Sequence, residues 1–180
     1  MRRVLKISAL TLTLPALLIV GYISYILATG NFHPITPGEA YRSAQLDKDK
    51  LEYYIKQHHI KSILNLCGQN IGQEWYEEEI ETSKKFEVMH FDLALSSFVE
   101  PTAEDVKKLL EIFRTAPRPI LIHCKAGADR SGLVAAMWKV IVDKETTASA
   151  ERQLTIWYGH IPVGGTIAMD RFYEKWNPTD

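Results

Sequence analysis

Two residues six positions apart point to covalent chemistry: Cys124 and Arg130, within PILIHCKAGADRSGLVA. The apolar run Ile120, Leu121 and Ile122 predicts a short buried strand ending at His123-Cys124. Small and polar residues follow, and Arg130-Ser131-Gly132 opens an apolar, helix-like stretch. Strand, loop and helix N-terminus together aim backbone N–H groups and a positive dipole end at one spot, a nest suited to a tetrahedral oxyanion. Those donors and Arg130 favour a thiolate at Cys124. Ser131 can hydrogen-bond the sulfur and make it a better leaving group. The planar fork of Arg130 can grip two oxygens of a phosphate. A thiolate below a bound phosphate is a nucleophile aimed at phosphorus.

The string HCKAGADRSG resembles the H-C-x5-R-[ST] signature of the cysteine-dependent protein tyrosine phosphatases, in their small dual-specificity-like branch. The resemblance extends over the order of strands and helices from about Ala40 to the C-terminus and leaves out the first thirty residues. It implies a phosphocysteine intermediate at Cys124, phosphate binding by Arg130 and a separate aspartate as general acid. It also implies that the ring of His123 hydrogen-bonds the loop backbone and tunes the thiol, a supporting role. In related small phosphatases a segment comparable to AYRSAQ (Ala40–Gln45) precedes the first helix. Arg42 within it is either a second cation for the phosphate or a surface arginine at a strand end.

Ester cleavage needs a proton for the leaving oxygen, and a thiolate has none to give. Asp92 is the first candidate, at a strand end before a loop and at about the distance ahead of the cysteine where related phosphatases place their acid. Glu100 and Asp105 are its rivals. Lys125, Ala126, Gly127, Ala128 and Asp129 line the loop, and their N–H groups bind phosphate whatever the side chains. Gly127 is expected to permit an unusual backbone angle. Lys125 adds a cation that Asp129 nearly cancels, which favours a substrate with one phosphate over a highly phosphorylated inositol. Cys67 ends its strand as Cys124 ends its own. Were the strands neighbours, as in related phosphatases, it would be a redox partner for the nucleophile; otherwise it is a small buried residue. The Gly159–Gly165 loop is a candidate pocket wall without a tie to the chemistry.

The chain has 180 residues and a formal net charge of -1. That is enough for one domain with a real core, and it excludes a strongly basic nucleic-acid surface. Two cysteines cannot make a disulfide scaffold. No Cys/His cluster has zinc spacing, so neither a metal nor another cofactor is expected. The expected partners are a phosphorylated protein or a phospholipid as substrate, and a membrane.

The membrane expectation comes from the N-terminus. Arg2, Arg3 and Lys6 precede Ile7–Ala28, a run without a charged residue. About twenty such residues cross a bilayer. A cleaved signal peptide usually has a shorter apolar centre, so an uncleaved anchor is preferred, with Ala28-Thr29-Gly30 as the cleavage site of the alternative. Either way the positive end stays in the cytoplasm, and the domain is expected outside it, which would be the periplasm if the source is a Gram-negative bacterium.

The division expected is therefore 1–30 as single-pass anchor or signal, 31–39 as an extended linker rich in Pro and Gly, and 40–180 as the phosphatase domain. Within that domain the sequence predicts an edge strand at Ala40–Gln45, a helix over Asp47–His59 and a buried strand over Lys61–Cys67. It predicts a surface helix over Gln73–Phe86 with Trp75, Ile80 and Phe86 inward and Glu77-Glu78-Glu79 solvated. A strand over Glu87–Ala94 follows, then a helix from Pro101-Thr102 with Val106, Leu109, Leu110 and Phe113 as its stripe. Ser131–Asp143 reads as a central helix, with further helices at Thr146–Tyr158 and Thr166–Trp176. The fold class is α/β: a mixed, mainly parallel central sheet of four to five strands flanked by helices, preceded by one transmembrane helix.

Overall fold

The strand that delivers Cys124 occupies the middle of the sheet. The structure, a computed structural model, describes residues 17–178 apart from 19 and 27. Its five strands are β1 (His33–Thr36), β2 (Ala40–Ser43), β3 (Ser62–Asn65), β4 (Met89–Asp92) and β5 (Ile120–His123), in the spatial order β1-β2-β5-β3-β4. Only β1 runs antiparallel to its neighbour. The helices are α1 (Lys48–His58), α2 (Glu74–Lys85), α3 (Ala103–Thr115), α4 (Asp129–Ile141), the one-turn α5 (Thr147–Ala150) and α6 (Ile167–Lys175). The mixed, mainly parallel sheet flanked by helices is the architecture expected.

Register levels the working edge of the sheet. Ser43 pairs with His123, His123 with Asn65, and Asn65 with Asp92. The C-terminal ends of four parallel strands thus open onto the same side, where sheets of this class bind ligands. Alternation along the strands then sorts their side chains between two cores. Ile120 and Ile122 face the larger core with α3, α4 and α6, while Leu121 faces the smaller one with α1. Eight consecutive residues of α4, Ser131 to Trp138, are buried, which fits a helix packed directly behind the nucleophile.

Several local expectations are corrected. The 31–39 segment is not an extended linker: it contains β1, and Ala40–Ser43 is consequently an inner strand rather than an edge. Pro34 is tolerated because an edge strand can lack a ladder donor. Helix α2 turns a different face inward, with Tyr76, Glu79, Thr82 and Ser83 buried. Hydrophobic patterning misses this face because it is polar and its partners are side chains on the sheet. The helix expected over Thr146–Tyr158 stops at Ala150 and continues as two short 3-10 turns, Glu151–Gln153 and Ile156–Tyr158. There the backbone turns so that the Gln153 carbonyl meets a buried guanidinium at 2.6 Å.

Residues 17, 18, 20–26, 28 and 29 are helical. Of the expected anchor Ile7–Ala28, residues 7–16, 19 and 27 lie outside the described residues. Among the described residues, no helix is long and apolar enough to cross a membrane.

Candidate active site

The loop after β5 holds its shape because its carbonyls are pulled outward. Arg42 on β2 is fully buried; its Nη2 donates to Gly127 O at 3.0 Å and Ala128 O at 2.9 Å. The Asn31 side-chain amide donates to Ala126 O at 3.0 Å and Gly127 O at 3.1 Å. The Gln45 N–H reaches Lys125 O at 3.4 Å. With four carbonyls turned away, the amides of the same peptide units face the inside of the loop, which is the nest an oxyanion needs. Gly127 makes the turn at φ +69°, and a Cβ there would stand 2.4 Å from Ala44 N. The position therefore excludes every other residue on both backbone and steric grounds.

Inside this loop Cys124 is buried, with Sγ 3.4 Å from Ser131 Oγ. Arg130 stands in the first turn of α4, next to the loop. One guanidinium nitrogen of Arg130 donates to Leu66 O at 3.1 Å and to Leu95 O at 3.2 Å. Its Nε is buried without a hydrogen-bond partner among the described residues. Cys124, Arg130, Ser131 and the loop from Lys125 to Asp129 thus converge as the sequence suggests.

Arg42 is neither of the two things expected of it. It touches the loop from behind rather than from the phosphate side, and it is not on the surface. Gln153 takes its Nη1 through both the backbone oxygen, at 2.6 Å, and the side-chain oxygen, at 3.1 Å, and the Tyr158 ring stacks 4.4 Å away. Burial lowers its pKa to about 10, with the charges of Cys124, Tyr158 and Asp129 opposing that fall, so the guanidinium keeps its proton at neutral pH.

His123 does not bond the loop backbone as expected. It shares the parity of Leu121 and so faces α2, where Glu79 accepts from its Nε2 at 3.1 Å. His90 meets the same carboxylate at 2.8 Å. Glu79 is therefore a buried bridge between two strands, not part of a solvated face. Burial alone would push its carboxyl up, but His123 and His90 outweigh it and hold the pKa down to about 2.

Asp92 sits at the sheet's C-terminal edge, two strands from Cys124. Its carboxylate accepts from Tyr76 Oη at 2.7 Å and Asn65 Nδ2 at 2.9 Å. Burial, reinforced by Asp92, pushes the Tyr76 phenol up to about 12. The rivals are committed elsewhere. Glu100 pairs with Arg171 and Lys175, and Asp105 closes a capping box with Thr102 at the start of α3. Cys67 and Cys124 are both free thiols just past the ends of the neighbouring strands β3 and β5, with Leu66 N 2.9 Å from His123 O. Burial raises the Cys67 pKa, against the pull of the Arg130 charge.

One cluster was not foreseen. The fully buried His160 ring lies 2.7 Å from Asp129 in the phosphate loop and 3.1 Å from Asp170 on α6. Burial would lower its pKa, but the two carboxylates more than compensate and raise it. His160 comes from the Gly159–Gly165 loop, which is thereby tied to the phosphate loop. Neither Asn31 nor Glu79 nor His160 carries a local signal, because each finds its partners across long sequence separations. A cavity of about 680 Å³ along Val106, Leu110, Phe172 and Trp176 includes none of these residues.

A family model described as "DSP-PTPase phosphatase fused to NAD+ Kinase" matches residues 37–164. The human dual specificity protein phosphatase CDC14C is 32% identical over 85 residues, 47% of this chain and 17% of that protein. This chain thus matches only a small part of the curated relative. Among solved structures, TpbA from P. aeruginosa in complex with pTyr superposes with a TM-score of 0.64 at 18% identity, covering 83% of this chain and 86% of that one. The core catalytic domain of the PP-IP phosphatase SIW14 from S. cerevisiae, in complex with citrate, gives 0.65 at 22% identity, covering 82% and 85%. At these identities the likeness is one of fold.

Proposed function

We propose that this chain, which belongs to the family of DSP-PTPase phosphatases fused to NAD+ kinase, hydrolyses phosphate monoesters through a phosphocysteine at Cys124. The observation that carries this is the loop itself: carbonyls held outward by Arg42, Asn31 and Gln45 around a buried sulfur 3.4 Å from Ser131 Oγ. The Cys124 thiolate attacks phosphorus and a P–S bond forms as the P–O bond to the leaving group breaks. The loop amides and Arg130 stabilise charge on the three equatorial oxygens. Water then attacks the phosphocysteine, phosphate leaves, and the Ser131 hydroxyl steadies the returning thiolate.

Asp92 is proposed as the acid that protonates the leaving oxygen and then as the base that activates water. It is the candidate carboxylate at the sheet's working edge that is not spent on a helix cap or a lysine–arginine pair. Phosphotyrosine-like aryl esters lie within the expected range, in keeping with the pTyr bound to TpbA. A lipid phosphate is the second reading, favoured by the N-terminal run. That run, Ile7–Ala28, is proposed as a membrane anchor with the catalytic domain outside the cytoplasm.

Turnover of p-nitrophenyl phosphate by the full-length chain tests the reading. Cys124→Ser is expected to abolish it while preserving phosphate binding, and vanadate to inhibit the wild type. A chain that binds vanadate but never turns over would be a phosphate-binding module instead. Asp92→Asn is expected to slow an alkyl phosphate more than an aryl one; equal rates to wild type on the alkyl ester would remove Asp92 from the mechanism.

A further inference from the structure

Two loops wall the mouth of the Cys124 site, and both show apolar side chains to solvent. One begins at Leu95, whose carbonyl accepts from Arg130, and carries Phe98 and Val99. The other runs over residues 156–165 and reaches the phosphate loop through Tyr158, whose carbonyl accepts from Asn31 at 2.9 Å. They meet where Phe98 lies against Gly165, so closely that a Cβ there would come within 2.1 Å of the ring. Phe98, Val99, Ile156, Trp157, Ile161 and Val163 are each 53–71% exposed. The acids nearby are already engaged: Glu100 by Arg171 and Lys175, Asp129 and Asp170 by His160. An apolar rim beside a reactive cleft marks an interaction surface.

The N-terminal helix indicates what the rim meets. Tyr22 stands edge-on to Trp157, with ring centroids 6.0 Å apart, and its hydroxyl donates to the Trp157 carbonyl. The rim is therefore continuous with the helix, where Leu17, Leu18, Val20 and Ile23 are also exposed. These residues belong to the uncharged run Ile7–Ala28 that follows Arg2, Arg3 and Lys6. From Tyr22 to the end of the helix at Thr29 is about 10 Å at ~1.5 Å per residue. For an anchor that ends at Ala28, Tyr22 and Trp157 then lie about 9 Å inside the end of the apolar run, within the ~5–10 Å to which interfacial apolar faces are buried.

We infer that the 96–100 and 156–165 loops form a membrane-contact surface, and that the site takes phosphate monoesters of lipid headgroups presented by the bilayer that holds the N-terminal run. The substrate half of this inference rests on the cysteine phosphatase reading. A cavity of about 430 Å³ between Ile26, Lys125 and Gly159 adjoins both the N-terminal helix and the outer side of the phosphate loop.

The test uses the full-length chain in phosphatidylcholine vesicles with acyl chains brominated near the headgroup. The expected result is fluorescence quenching that disappears in Trp157→Phe. In the same vesicles, Trp157→Ser combined with Val163→Ser is expected to slow hydrolysis of dioleoyl phosphatidic acid about tenfold. Hydrolysis of monomeric dihexanoyl phosphatidic acid, which needs no bilayer, should stay at the wild-type rate. Unquenched Trp157, or equal losses on both lipids, overturns the inference. So does a fall confined to a phosphotyrosyl peptide, which would mark the rim as a protein-binding surface. If the wild type hydrolyses neither lipid nor p-nitrophenyl phosphate, the phosphatase reading falls and takes the substrate assignment with it, while the quenching still decides the surface.

Discussion

The Arg42 guanidinium holds the carbonyl oxygen of Gly127 at 3.0 Å from within the protein, on the side of the phosphate loop away from the nucleophile. The same nitrogen also takes Ala128 O, and the other takes Gln153. Arg42→Lys keeps the charge but cannot reproduce this planar fork. Expected are a loss of about 2 kcal/mol in stability and a roughly tenfold weakening of vanadate inhibition. Denaturant unfolding and vanadate titration measure the two, and wild-type vanadate affinity in this variant would show that the loop keeps its shape unaided.

Glu79 makes an acid-side prediction. Its pKa falls from an unfolded value of about 4.3 to about 2 in the fold. A depressed carboxylate contributes stability that is complete above the unfolded value and is lost as pH falls through the folded one. The wild type should therefore lose Tm progressively between about pH 4 and 2, and Glu79→Gln, less stable at neutral pH, should lose less over that window. Parallel Tm curves for the two proteins would contradict the bridge to His123 and His90.

His160 acts at the other end of the scale. Its pKa is raised by the carboxylates of Asp129 and Asp170 against the effect of burial. Its contribution is complete below the unfolded value of about 6.5 and is lost as pH rises through the folded one. Raising the pH above neutral should lower Tm in the wild type, and His160→Asn should be less stable at pH 6 and flatter above it. Because Asp129 belongs to the phosphate loop, KM for p-nitrophenyl phosphate should also rise with pH in the wild type and lose this trend in the variant.

Cys67 is proposed as a redox partner of the nucleophile. Peroxide converts the Cys124 thiolate to a sulfenic acid, and condensation with the Cys67 thiol would give a disulfide and water. Mild oxidation followed by thiol should restore wild-type activity, and Cys67→Ser should recover far less. Non-reducing mass spectrometry should find a Cys67–Cys124 peptide in the oxidised wild type; its absence would leave Cys67 a packing residue.

How much was legible depended on how far apart the partners lie. HCKAGADRSG reads as strand, nest and helix because its ingredients are contiguous, and β5, the loop and α4 follow from that one string. The helix caps Asp47 and Thr102 are local as well. Asn31, Arg42 and His160 shape the same loop, but from separations of 95, 86 and 31 residues, with respect to Ala126, Ala128 and Asp129. Nothing in their own neighbourhoods marks them. Glu79 was hidden by its companions, since Glu77 is exposed and Glu78 partly so, which makes the run look like a solvated surface. The 31–39 segment was hidden by its prolines, which suit a bulged edge strand as well as they suit a tether.

The join between the N-terminal helix and the domain contains no slack. The Gly30 carbonyl accepts from Ala44 N–H at 2.8 Å, and the very next side chain, Asn31, grips Ala126 and Gly127. A sideways force on the helix would therefore be felt, one residue later, by the amides that cradle phosphate.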